Sequence, residues 1–225
     1  MDKIISLDEA VSHIKSGSRV MIGGFGNIGV PHTMIDKIAE KPDEIKDLTI
    51  IATDLGTPNK GLGRLVHNRQ IKKTIGSYFS YNAEAVKDYF EGRLELELIP
   101  QGNLAECVRA GGAGIGGFFC PVGVGTDLFK DAETRVIDGE EYVFVEALKA
   151  DYALVHAHKA DTMGNLVYNK AARNFNPMMA RAAKFTIAEV EEIVEVGELD
   201  PKDIITPFLY VNAIVKVERR NPNDR

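Results

Sequence analysis

The sequence predicts an α/β fold: an open, mostly parallel sheet sandwiched by helices, with a β-hairpin inserted near the middle of the chain. Two observations carry this. Strand-like and helix-like segments alternate through the first half, an order that builds parallel sheets between helix layers. Runs such as Leu48-Thr49-Ile50-Ile51-Ala52 are apolar without alternation, as in strands covered on both faces.

The elements follow in order. Ser6-Leu7-Asp8-Glu9 reads as a capping box, in which the Ser6 hydroxyl accepts the Glu9 amide. Val11 and Ile14 form the apolar face of this short helix, and Gly17 ends it. A strand over Arg19 to Ile22 leads into a glycine loop, then a helix over Pro31 to Glu40, where proline suits the first turn. Leu48 to Ala52 is the next strand, and Gly61 to His67 a short helix. Thr74 to Tyr78 is a strand and Ala83 to Glu91 a helix. Leu94 to Ile99 alternates, so one face is partly wet, and a helix over Leu104 to Ala110 follows. Gly111 to Gly125 holds seven glycines and reads as a structured loop. Val136 to Gly139 with Tyr142 to Val145 reads as a hairpin on an Asp-Gly turn. Strands return at Tyr152 to His156, Phe185 to Val190 and Val211 to Val217, and the charged tail from Glu218 to Arg225 is expected to fray.

With 225 residues and no composition break, residues 1–225 are expected to form one domain. The net charge of −6 opposes nucleic acid and anionic membranes in general, so any anion needs a local site. Two cysteines, Cys107 and Cys120, make no disulfide framework and have no zinc spacing. No apolar run approaches membrane-spanning length, and the N-terminus lacks a signal-like segment, so a cytoplasmic location is expected.

The most informative stretch is Gly23-Gly24-Phe25-Gly26-Asn27-Ile28-Gly29, four glycines in seven residues directly after a strand. Bare backbone amides in such a loop suit a phosphate or an oxyanion. Gly24 to Gly29 also fits G-x-G-x-x-G, and Asp54 stands 25 residues on, near the place of a ribose-binding acid. A nucleotide-binding, Rossmann-like dehydrogenase domain is therefore one alternative. Pro31 argues against it, because it would lie past the first turn of a helix that begins inside the glycine motif.

Further blocks sharpen the reading. They are Pro100-Gln101-Gly102-Asn103-Leu104, Arg109 to Ile115 with Val122 to Thr126, Ala157-His158-Lys159-Ala160-Asp161, Gly164-Asn165, and Ala172-Arg173-Asn174-Phe175-Asn176-Pro177. Together with Gly23-Gly24-Phe25-x-x-x-Gly29-x-Pro31, they resemble in order the family I coenzyme A transferases. Within these they resemble the alpha subunit of the acetate/acetoacetate–butyrate (3-oxoacid) type. There are departures: Ser16-Gly17 replaces Asp/Asn-Gly, Ala52-Thr53-Asp54 replaces an asparagine-containing segment, and Asn103 follows Gly102 in place of threonine.

The resemblance implies that fold and an activity: CoA moves from a short-chain acyl-CoA to a carboxylic acid of the acetate, butyrate or acetoacetate class. CoA is then a substrate, and no permanent cofactor or metal is expected. The family's nucleophile is a glutamate in a Ser-Glu-Asn-Gly segment that becomes a glutamyl-CoA thioester. This sequence has no such segment, so the nucleophile is expected on a partner, the CoA-transferase beta subunit, in a hetero-oligomer. By family position, Gly23, Gly24, Phe25, Gly26, Asn27, Ile28 and Gly29 would bind CoA, and Gln101, Thr53 and Asp54 the acid substrate. Phe118 and Phe119 would wall an acyl pocket. A non-catalytic regulatory homologue is the other alternative. Bland expectations cover the rest: His156 as strand structure, His158 in the following loop, Asn174 and Asn176 fixing a turn, and Glu189, Glu191, Glu192 and Glu195 forming a solvated face.

Overall fold

A computed structural model describes residues 3–218. The first half runs α1 (Leu7–Ser12), β1 (Arg19–Ile22), α2 (His32–Ala39), β2 (Leu48–Ile51), α3 (Leu62–His67), β3 (Ile71–Gly76), α4 (Ala83–Phe90), β4 (Glu95–Leu98) and α5 (Gln101–Ala113). A small sheet follows, from β5 (Gly117–Cys120), β6 (Thr134–Ile137) and β7 (Glu140–Glu146). The last third holds β8 (Ala150–Asp161), β9 (Leu166–Val167), α6 (Asn176–Arg181), β10 (Ala183–Val194) and β11 (Ala213–Lys216).

The main sheet has the order β11-β10-β8-β1-β2-β3-β4, and every neighbouring pair on this path is parallel. β9 adds antiparallel to β8. Side chains that alternate along each strand feed two cores. Val20, Ile22, Leu48 and Ile50 face one, with Val11, Met34, Ile35, Ile38 and Leu65 from α1, α2 and α3. Met21, Ile51 and Ile75 face the other, with Leu104 and Val108 of α5, Met179 of α6, and Val143 and Val145 of β7. The helix–sheet–helix layering expected from the sequence is present, and the Ser6 hydroxyl accepts the Glu9 amide at 3.1 Å.

The hairpin stands on Asp138 and Gly139, both at positive φ (51° and 84°), the backbone an Asp-Gly turn favours. It belongs to a three-stranded antiparallel sheet, because Gly111 to Gly125 is not a loop throughout. Gly111 and Gly112 lie inside α5, and Phe118, Phe119 and Cys120 are strand residues of β5. Helix persists through these glycines because α5 lies against the next backbone: a Cβ on Gly111 would sit 1.9 Å from the Leu148 carbonyl oxygen. Other boundaries move as well. β3 starts at Ile71, and β8 and β10 run 12 residues each, paired along most of their length. His158 is therefore in a strand rather than a loop. Helix α6 had no sequence-level counterpart, since Asn176-Pro177 reads as a turn; here Pro177 occupies the first helical turn, where its missing amide costs nothing. Of the charged tail, only Glu218 lies within the described residues.

Candidate active site

Because β1 to β4 are parallel, their carboxyl ends share one edge of the sheet, the side on which open α/β sheets bind ligands. The segments leaving those four ends surround a cleft of about 390 Å³. It brings together six of the predicted site residues: Phe25, Gly26 and Asn27 after β1, Thr53 and Asp54 after β2, and Gln101 after β4. Gly56, Thr57, Tyr78 and Tyr81 complete the wall and were not foreseen; the segment after β3 that carries the tyrosines shows no motif in sequence.

The glycine loop is a tight turn on itself. The Phe25 amide donates to the Ile28 carbonyl at 3.0 Å, and the Ile28 amide to the Phe25 carbonyl at 3.1 Å. Gly26, at φ +57°, supplies the first central residue of that turn, and Gly24 sits at φ +116°, a region that side chains disfavour. The turn holds Phe25 and Ile28 out from the surface, 52% and 46% exposed. Gly23, Gly24 and Gly29 are buried behind it, and Ile28 faces away from the cleft. So the four glycines divide by task. A Cβ on Gly23 would lie 1.9 Å from Asn176 Oδ1, and one on Gly29 would lie 2.6 Å from the Ala172 carbonyl, so both glycines are there for close approach.

Asp54 pins the turn. One carboxylate oxygen accepts the Gly26 amide at 2.9 Å and the Thr53 hydroxyl at 2.9 Å; the other accepts the Gly56 amide at 2.8 Å. The Gly26 amide therefore points at Asp54 rather than outward, and the hydroxyl of buried Thr53 donates to the same carboxylate. This also removes the dinucleotide geometry: Asp54 is occupied within the chain, and α2 starts at His32 with Pro31 as its cap, after the glycines have ended. Gly24, Asn27 and Gly29 retain amides that donate to no acceptor among the described residues.

Gln101 contributes the other polar group. It is the first residue of α5, placed by Pro100 at the mouth of the helix. Its Nε2 is buried and has no hydrogen-bond partner among the described residues. A buried amide donor without an acceptor is costly unless a ligand supplies one.

A second cleft of about 280 Å³ lies on the other side of the loop, lined by Ile28, Gly29, His156, His158, Glu189 and Glu191 among others. Glu189 and Glu191 do not form a solvated face. Glu189 lies opposite His156 of β8 in the register, and the alternation of the two glutamates along β10 matches that of His156 and His158 along β8. Glu189 is 2% exposed; it accepts the Met34 amide at 2.9 Å and so caps α2, whose own cap Pro31 offers no side-chain acceptor. Glu191 pairs with His158 Nδ1 at 2.9 Å. Among the described residues, no group of three or more His, Cys, Asp or Glu is arranged to hold a metal ion. Burial pushes the Cys107 thiol up to about 11, which keeps it protonated and unreactive.

Comparison with known proteins bears on this geometry. The family profile described as coenzyme A transferase matches residues 4–217. The chain is 47% identical over 220 residues to the alpha-type subunit of succinyl-CoA:3-ketoacid coenzyme A transferase from Helicobacter pylori, covering 97% of this chain and 94% of the relative. It is 48% identical over 214 residues to the corresponding subunit of 3-oxoadipate CoA-transferase from Pseudomonas putida, covering 94% and 92%. In fold it resembles the acyl-CoA transferase YdiF of Escherichia coli O157:H7, solved as a thioester complex with CoA. The TM-score is 0.85 at 20% identity, over 96% of this chain and 47% of that one. The chain thus spans about half the length of that structure.

Proposed function

The chain belongs to the coenzyme A transferase family, and from that premise we propose that it is the alpha subunit of an enzyme moving CoA between a short-chain acyl-CoA and a carboxylic acid. A beta subunit completes it, and acids of the acetate, butyrate or acetoacetate class are its substrates. CoA is a substrate rather than a bound cofactor. Residues 1–225 act as one domain in this reading, in keeping with two cores that share one sheet. A cytoplasmic location accords with the free thiols of Cys107 and Cys120.

The observation that carries the proposal is the unpartnered Gln101 Nε2, buried at the edge of a largely apolar cleft opposite the glycine turn. Among the described lining residues the cleft holds one carboxylate, Asp54, and that group already accepts three hydrogen bonds. The nucleophile accordingly comes from the partner. Its carboxylate attacks the thioester carbonyl, the C–S bond breaks, and CoA leaves as the thiolate. The thiolate then attacks the glutamyl carbonyl of the resulting anhydride, which forms the enzyme thioester and releases the free acid. The acceptor acid reverses both steps. Negative charge develops on a carbonyl oxygen each time, and preorganised donors stabilise it strongly where water is excluded. Gln101 Nε2 and the open amide of Asn27, the residue of the turn that both lines the cleft and keeps an unbonded amide, are the donors this chain offers. Phe25, Tyr78 and Tyr81 supply apolar walls for the acyl and pantetheine chains.

The test is reconstitution with a beta subunit in the presence of acetoacetyl-CoA and labelled acetate. Label is expected in acetyl-CoA. A complex that transfers none, while the chain alone binds NAD(H) tightly, would overturn the reading.

A further inference from the structure

Behind the glycine turn runs the segment Asn174-Phe175-Asn176, and each of its residues engages the turn. Asn174 Nδ2 donates to the Ile28 carbonyl at 2.9 Å. Asn176 Nδ2 donates to the next carbonyl, that of Gly29, at 2.9 Å, and to the Ala172 carbonyl at 2.9 Å. The Phe175 ring stacks on that of Phe25, with centroids 6.5 Å apart. Asn176 is fully buried, and its Oδ1 accepts the His156 amide at 3.0 Å, which ties the turn to β8. The fit is tight at both ends of the turn, since a Cβ on Gly23 would meet Asn176 Oδ1 and one on Gly29 would lie 2.9 Å from Asn176 Nδ2. The expectation that these asparagines only fix a local turn is thereby replaced.

We propose that Asn174 and Asn176 are positioning residues for CoA transfer: a two-asparagine clamp that holds the Ile28 and Gly29 carbonyls. The clamp thereby fixes where the amides of the glycine turn point. The proposal rests on the transferase reading for its catalytic consequence, while the clamp itself is a statement about the loop. Neither residue lines the cleft that holds Gln101, so both act through the turn. Misplacing catalytic donors by about 1 Å costs on the order of 100-fold in rate. A loosened clamp therefore lowers kcat more than it raises KM.

The experiment compares two variants with wild type, each in the complex formed with the beta subunit. Asn174→Ala removes the bond to Ile28 from a half-buried site, so the protein is expected to fold. Asn176→Asp preserves shape but turns a donor into an acceptor facing two carbonyls. Hydrogen exchange of the bonded turn amides, those of Phe25, Gly26 and Ile28, is expected to speed up at least tenfold in both, with kcat falling about tenfold in Asn174→Ala and more in Asn176→Asp. Asn176→Asp carries a further signature that general destabilisation does not produce. Protonating the new carboxyl restores a donor, so its activity relative to wild type should rise as the pH falls. Unchanged exchange in Asn174→Ala overturns the clamp. Faster exchange with wild-type kcat overturns its catalytic role. Should the wild-type complex transfer no CoA, the transferase reading fails, and exchange alone still decides whether the clamp exists.

Discussion

Gly23→Ala tests whether this glycine serves packing or ligand approach. The added Cβ would lie 1.9 Å from Asn176 Oδ1 and 2.7 Å from its Cγ, and Asn176 is fully buried with the β8 backbone behind it. Asn176 must move, and it holds four hydrogen bonds, to His156, Gly29, Ala172 and Asn174. Leaving even one of these buried groups unpaired costs about 1–3 kcal/mol. Overpacking adds about 1–3 kcal/mol. The restricted unfolded chain offsets about 0.5 kcal/mol. The sum is about 3 kcal/mol, or roughly 6–12 °C in melting temperature for a chain of this size. Gly26→Ala is the matched control. Its Cβ would meet nothing within 4 Å, and only its φ of +57° opposes alanine, a cost of about 1 kcal/mol. Thermal unfolding followed by circular dichroism compares the two. A Gly23→Ala protein that melts within about 2 °C of wild type, or a larger loss in Gly26→Ala, would refute the packing argument.

Other outcomes follow from the same geometry. Gln101→Leu should lower kcat/KM by about 100-fold, the scale of losing one oxyanion donor. Its melting temperature should not drop, because the amide it removes has no partner among the described residues. Cys107 should resist iodoacetamide at about pH 8 in the folded protein and react once denaturant exposes it, since burial lifts its thiol to about 11. Asp151 is held below the ordinary carboxylate range, first by the Lys184 ammonium at 2.8 Å and then by the Arg19 amide. Its contribution is therefore present above about pH 4 and lost as the pH falls through its lowered value. Asp151→Asn should flatten the acid limb of the stability–pH curve below that point, measured by urea unfolding at stepped pH.

The parallel sheet was legible because β1 and β2 are mostly apolar without polar alternation and because Pro31 and Gly17 punctuate the helices around them. The cleft was legible in part: Phe25, Gly26, Asn27, Thr53, Asp54 and Gln101 do meet, since each follows a strand whose end lies on one edge. Tyr78 and Tyr81 were not, because two exposed tyrosines after a strand have no periodicity to mark them. Glu189 and Glu191 misled for a related reason. In β10 a carboxylate on the buried side looks in sequence like one on the wet side, and only pairing with β8 and the Met34 amide in the first turn of α2 distinguish them.

The sequence by itself determined the layer order, the strand-to-loop punctuation and the family, since these follow from local pattern and from motifs in fixed order. Only the tertiary structure decided what each glycine and each carboxylate does. Asp54 directs its hydrogen bonds to the turn, Gln101 leaves a donor open, and two asparagines about 150 residues downstream seat the loop. Those assignments depend on contacts between distant segments, and a hydrogen bond is settled by what lies within about 3 Å in space, which residue type and spacing do not encode.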